Sequence, residues 1–132
     1  MRIRTRVVLL LGLLACVGCS KEKSTPELIA DLKSPHEKDR IIAVRQLPHR
    51  KGDAAQTVPA LVDALKDKES DVRWSAAIGL GTFGEDAKEA IPALQAAQND
   101  RDARVREAAR VAIGRIDPDL AAKANPDTSK RP

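Results

Sequence analysis

"VRWSAAIGLG" at residues 72–81 and "VREAARVAIG" at residues 105–114 decide the fold, because the second stretch repeats the first after 33 residues. The alignment extends without a gap from residues 58–83 to residues 91–116. The identical pairs are Pro59/Pro92, Ala60/Ala93, Leu61/Leu94, Ala64/Ala97, Asp67/Asp100, Val72/Val105, Arg73/Arg106, Ala76/Ala109 and Gly81/Gly114. A fixed period of this length predicts an array of similar structural units.

A third, more diverged copy precedes these two. Residues 25–50 align in the same register, but Asp39 stands where the later copies have Val72 and Val105. The matching residues of this copy are Pro26, Leu28, Arg40, Ala43 and Leu47. We therefore expect three units, at about residues 26–57, 58–90 and 91–117.

Each unit has the pattern of two helices joined by a polar turn. The first helix opens with a proline at a position suited to the first helical residue, as at Pro59, where its missing N–H costs nothing. The second helix of the middle unit is predicted from about Asp71 to Thr82. Its apolar face is Val72, Ala76, Gly79, Leu80 and Phe83, and the third copy repeats it as Val105, Ala109, Ala112, Ile113 and Ile116.

Such short helix pairs bury enough apolar surface only when several of them stack, and about three copies are the practical minimum. The apolar Val62 and Leu65 of the middle copy become Gln95 and Gln98 in the last copy, as the end of a stack requires. Residues 118–124 are expected to form a short capping helix, and residues 125–132 a disordered tail. Composition agrees, because one Trp, one Phe and no Tyr favour closely packed helices over a β-sandwich.

The Pro-Ala-Leu opening, the Asp in the turn, the Val-Arg pair, the alanines and the closing Gly resemble the HEAT repeat, in particular the bacterial variety named after bilin lyases. The resemblance covers residues 26–116. It implies an all-α fold, a short α-solenoid of about three helix pairs, whose second helices line a concave, protein-binding surface. It also implies that the Arg following Val bonds a turn Asp of an adjoining unit. This assigns structural roles to Arg40, Arg73, Arg106, Asp67 and Asp100; an anion-binding strip is the alternative.

The N-terminus has the pattern of an export signal. Residues 1–6 carry three arginines, and the apolar run over residues 7–19 is shorter than the roughly 20 residues of a membrane-spanning helix. "LLAC" and "CVGC" resemble the lipobox of bacterial lipoproteins, which implies cleavage before Cys16 or Cys19 and lipidation of that cysteine. The polar residues 20–25 are then a tether. We expect a protein anchored by lipid to the cell membrane or outer membrane, facing the periplasm.

The remaining composition argues against several function classes. The formal net charge is +4, but without Arg2, Arg4 and Arg6 only 20 basic residues oppose 19 acidic ones, so we expect no nucleic-acid partner. His36 and His49 are the only histidines and no cysteine follows Cys19, so the sequence predicts neither a disulfide nor a metal site. Turn carboxylates are interpreted as helix caps, and we expect no cofactor and no catalytic activity.

The repeated second helices differ most in side-chain type at the position that Trp74 occupies in the middle copy. Val72, Leu80 and Val105 are predicted to point into the core, so Trp74 faces another side of the same helix, either packing on a neighbouring repeat or contacting a partner. The candidate partner-binding residues on this side are Trp74, Ile41, Glu107, Ala77, Arg110 and Ile78.

The sequence thus predicts a lipid-anchored adaptor or scaffold of the bacterial cell envelope that binds another envelope protein or peptide. The alternatives are a bilin-lyase-like enzyme, suggested by the family resemblance alone, and a purely structural fragment of a larger solenoid.

Overall fold

Seven α-helices make up the part of the chain that the computed structural model describes, residues 22–124. They are α1 (Thr25–Asp31), α2 (Glu37–Gln46), α3 (Ala54–Ala64), α4 (Ser70–Gly81), α5 (Ile91–Ala97), α6 (Ala103–Ile116) and α7 (Pro118–Ala124). Short 3₁₀ segments occupy Leu47–His49, Lys51–Asp53 and Gly84–Ala90. There is no strand between residues 22 and 124, and the predicted all-α class is confirmed. The signal, Cys16, Cys19 and the predicted tail lie outside the described residues.

The helices are arranged as three consecutive pairs. The pairs are α1 with α2, α3 with α4, and α5 with α6. The second helices lie side by side, because α4 packs against α2 on one side and against α6 on the other. α1 contacts α3, and α3 contacts the 3₁₀ segment that leads into α5, so the first helices form a second layer. This is the architecture of a short α-solenoid.

The core lies between the two layers and repeats with the period of the sequence. Leu28, Leu61 and Leu94 are equivalent residues of the three first helices, and all three are fully buried. The second helices contribute the predicted apolar faces, including the fully buried Val72 and Val105. Ala43, Ala76 and Ala109 are likewise equivalent and fully buried, so small residues allow close helix contacts in every copy.

The middle unit begins earlier than the repeat pattern suggested. α3 starts at Ala54, so Pro59 lies inside the helix instead of at its first residue, while Pro26 and Pro92 do lie at the starts of α1 and α5. The good helix former Ala54 and the residues after it extend the helix backwards. Pro59 then removes one internal hydrogen bond, which the packed helix tolerates.

α7 closes the last unit. Asp117 precedes the helix and its Oδ1 accepts a hydrogen bond from the backbone N–H of Leu120 at 2.9 Å. Leu120 packs against the core. Gln95 on α5 and Gln98, the residue that follows α5, are exposed, as residues at the end of a stack.

α4 and α6 approach each other closely at Gly81. A Cβ atom at this position would lie 3.1 Å from Ala112 Cα and 3.3 Å from Ala112 Cβ. We expect Gly81→Leu to push the two helices apart and lower the free energy of unfolding by about 2 kcal/mol in urea titrations. Gly52→Leu is the matched control with a change below about 0.5 kcal/mol, since a Cβ there meets no atom within 4 Å. Equal losses in both variants would contradict the close approach.

Candidate functional site

A shallow groove runs between α4 and α6 on the face formed by the second helices. It encloses about 520 Å³. Its lining consists of Trp74, Ile78, Ala103, Arg104, Glu107, Ala108, Val111, Ala112 and Arg115. Ile78 and Val111 occupy equivalent positions in successive repeats, and each is 39% exposed. Large apolar side chains are thus presented to solvent in a row.

The predicted partner-binding residues divide between the groove and other places. Trp74, Ile78 and Glu107 line the groove. Ile41 is the equivalent of Trp74 on α2, and both side chains are partly buried against the core. Trp74 therefore both packs on the core and lines the groove.

Three of the predicted partner-binding residues do not line the groove: Ile41, Ala77 and Arg110. The prediction for Ala77 was wrong, because Ala77 is fully buried in the core and offers no surface to a partner. It belongs to α4, which is covered by a helix on either side. Arg110 is its equivalent on α6, where no further repeat follows among the described residues, and it is exposed.

Ion pairs neutralise most of the charges that border the groove. Arg110 donates to Glu107 through Nε at 3.0 Å and through Nη2 at 2.5 Å, and these bonds lower the pKa of the Glu107 carboxyl. Arg104 donates through Nη2 to Asp71 at 2.9 Å and to Asp102 at 3.0 Å. The Arg104 side-chain bonds, together with its backbone N–H, hold the pKa of Asp102 well below its usual range.

Two of the repeated arginines, Arg40 and Arg73, join consecutive repeats. Arg40 donates from Nε to Asp67 Oδ2 at 2.8 Å and from Nη2 to Asp67 Oδ1 at 3.2 Å. Arg73 makes the same pair of bonds to Asp100, at 2.8 and 2.9 Å. In both pairs the side chains are only 6% and 11% exposed. Each arginine therefore binds the turn Asp of the following unit in a planar, two-pronged arrangement.

The same arginines also hold the turn that precedes their own helix. Nη1 of Arg73 donates to the carbonyl oxygens of Asp67 and Lys68 at 2.9 and 3.1 Å, and Nη1 of Arg40 makes the equivalent bonds. Arg106 makes only these bonds to its own turn, donating to the carbonyl oxygens of Asp100 and Arg101, and it is exposed. Arg106 thus orders its own turn without joining a further unit.

Asp100 links stability to pH. The hydrogen bond from Arg73 lowers the pKa of the Asp100 carboxyl. A carboxyl whose folded pKa lies below its unfolded value of about 3.9 contributes stability above that pH, and loses it as the pH falls through the folded pKa. We expect the destabilisation caused by Asp100→Asn to be largest near neutral pH and to shrink below about pH 4, measured by urea unfolding across that range. A pH-independent difference would contradict the ion pair.

The described residues hold no cluster of three His, Cys, Asp or Glu side chains that could bind a metal. His36 and His49 are exposed, and Asp67 is engaged by Arg40 and by the backbone N–H of Glu69 at 2.9 Å. Among residues 22–124, none of the helices is both long and apolar enough to traverse a bilayer.

Val111 follows from the period, because it is the equivalent of the predicted Ile78. Sequence reasoning did not single out Arg104 and Arg115. The period carried a signal for Arg104, which lies 33 residues after the Asp71 to which it bonds. Arg115 carries no such signal, because its equivalent in the middle copy is Thr82.

The family pattern described as HEAT repeats matches residues 25–114. The chain belongs to the HEAT-repeat family. This HEAT-repeat chain is also similar to a chain in the solved complex of CpcE and CpcF of phycocyanin lyase from Nostoc sp. PCC7120, with a TM-score of 0.70 and 26% sequence identity. The likeness covers 86% of this chain but only 45% of that one. A comparison with curated proteins gave no match.

Proposed function

We propose that this HEAT-repeat protein is a lipid-anchored adaptor of the bacterial cell envelope, without catalytic activity, that binds another envelope protein or peptide in the groove between α4 and α6. The observation that carries the binding role is the apolar row across two repeats. Ile78 and Val111 are each 39% exposed beside the partly buried Trp74. Interface anchors are typically side chains such as Trp, and the contacts around them exclude water.

The envelope location rests on residues 1–19 alone. A basic start, a short apolar run and the small residues before Cys16 and Cys19 are the features of a lipoprotein signal. Two or more acyl chains anchor a protein stably, at about 0.8 kcal/mol per buried methylene. Labelled fatty acid should be incorporated into the parent chain. One of the two single variants, Cys16→Ser or Cys19→Ser, should lose the label, and the other should keep it. Absence of label from the parent would remove the anchor from the proposal.

The groove is tested by photo-crosslinking in the native envelope. A photoreactive amino acid replaces Ile78 or Val111 in the groove, or Gln56 on the exposed side of α3 as the matched control. The proposal expects one adduct of the same size from both groove positions and none from position 56. Adducts that are absent, or equally strong from position 56, would contradict binding at the groove.

A bilin-lyase-like activity is the second candidate. The likeness to a chain of the phycocyanin lyase complex favours it, although the present chain spans less than half of that chain. Coexpression with a bilin and an acceptor protein tests it, because covalent attachment produces a coloured acceptor. A colourless acceptor would leave the adaptor role as the better account.

A further inference from the structure

We propose that the occupant of the groove is an amphipathic protein segment whose apolar side chains are flanked by carboxylates. This inference rests on the proposed adaptor function and names the chemistry of its partner. The apolar component follows from the row described above: Ile78 and Val111 are exposed in line, with Trp74 beside them. Contact with a chain carrying apolar side chains at matching intervals removes this surface from water.

The charges around the apolar row are unbalanced. Glu107 is the carboxylate among the described lining residues, and Arg110 already holds it in two hydrogen bonds. Asp71, next to the groove, is held by Arg104. Neither carboxylate is therefore available to a cationic partner without breaking an existing pair.

Two arginines border the apolar row. Arg115 lines the groove one helical turn beyond Val111, and makes no ion pair among residues 22–124. Arg45 on α2 is the equivalent of Ile78, is exposed, and likewise has no ion-pair partner in the described part of the chain. The equivalent positions of the three second helices are Arg45, Ile78 and Val111, and Arg115 lies one turn further along α6 than Val111.

The charges in the first turn of α2 do not cancel the positive charge of these arginines. Glu37 is an exposed carboxylate there, but the exposed Lys38 follows it directly. Of the charged residues that line the groove, Arg104 and Glu107 are paired and Arg115 has no ion-pair partner in the described part of the chain, so the unmatched charge there is positive. Guanidinium groups form their strongest hydrogen bonds with carboxylates, in a two-pronged geometry, and complementary charges set the specificity of an interface. A partner with carboxylates spaced outside its apolar residues satisfies both features.

Trp74 makes the test direct, because it is the chain's only tryptophan and lines the groove. The full chain, purified in non-ionic detergent, is titrated with a synthetic amphipathic peptide that has leucines on one helical face and glutamates elsewhere. A second peptide with lysines in place of glutamates is the control. We expect a saturable shift of the Trp74 emission to shorter wavelength with the acidic peptide only, weakened by added salt.

Charge reversal identifies the cations. In the double variant Arg45→Glu/Arg115→Glu, we expect the dissociation constant of the acidic peptide to rise about tenfold or more. The matched control is Lys51→Glu, an exposed lysine outside the groove lining, and it should bind as the parent does. Circular dichroism verifies that both variants retain the parent's helix content.

Three results would overturn the inference: no saturable change with the acidic peptide, equal binding of the basic peptide, or a Trp74 response only to vesicles of anionic lipid. The crosslinks from positions 78 and 111 keep its failure separate from that of the adaptor role. Native crosslinks that persist unchanged in the double variant mean that the groove binds a protein without using these cations. If positions 78 and 111 give no crosslinks in a chain that keeps Arg45 and Arg115, the adaptor role is refuted.

Discussion

Asp100→Ala is expected to lower the free energy of unfolding by about 3 kcal/mol, one of the two largest effects that we predict. The substitution removes both carboxylate oxygens that Arg73 binds, at 2.8 and 2.9 Å, and leaves a guanidinium whose side chain is 6% exposed. A buried charge without its partner costs far more than a surface pair contributes. Urea unfolding of the full chain measures the change.

Arg106→Ala is the matched control for this effect, because Arg106 holds the same position in the last repeat. It is exposed and donates only to two carbonyl oxygens of its own turn. We expect a loss of about 1 kcal/mol or less. Comparable losses in Asp100→Ala and Arg106→Ala would show that the ion pairs between repeats do not stabilise the array.

Leu80→Ala is the second large effect, with an expected loss of about 3 kcal/mol. Leu80 is fully buried in the shared core, on the helix that packs against both α2 and α6, so neighbouring side chains cannot easily collapse into the space it leaves. The melting temperature of the full chain, together with urea unfolding, reports the loss.

Ile78→Ala separates the core from the groove on the same helix. Ile78 is two residues before Leu80 but is 39% exposed, so its truncation should cost about 1 kcal/mol or less while weakening crosslinking to a partner. If Ile78→Ala destabilised the chain as much as Leu80→Ala, the assignment of the two faces of α4 would be wrong.

The repeat period was sufficient to predict the helix pairs and their buried faces. Val72, Leu80 and Val105 are spaced at helical intervals, and helices bury the side chains that share a face. The start of α3 could not be predicted in the same way, because Pro59 is compatible both with a helix start and with a position inside a packed helix.

The groove was predicted only in part, for a physical reason. Spacing along one helix places Trp74 and Ile78 away from the core, but it does not say how much of a small side chain the neighbouring helices cover. Ala77 was therefore assigned to the surface although α4 is enclosed on both sides. Pairings such as Glu107 with Arg110 depend on rotamers, which no sequence pattern specifies.

Hydrogen exchange of the full chain, followed by mass spectrometry, tests the central claim that three helix pairs share one core. α4 contacts a second helix on each side, so its amides should exchange most slowly, and α2 and α6 should be protected by the same cooperative unfolding. The account predicts measurable protection in all three second helices, and a loss of it in all three on Leu80→Ala. Rapid exchange throughout α2 while α4 and α6 stay protected would contradict the three-pair solenoid.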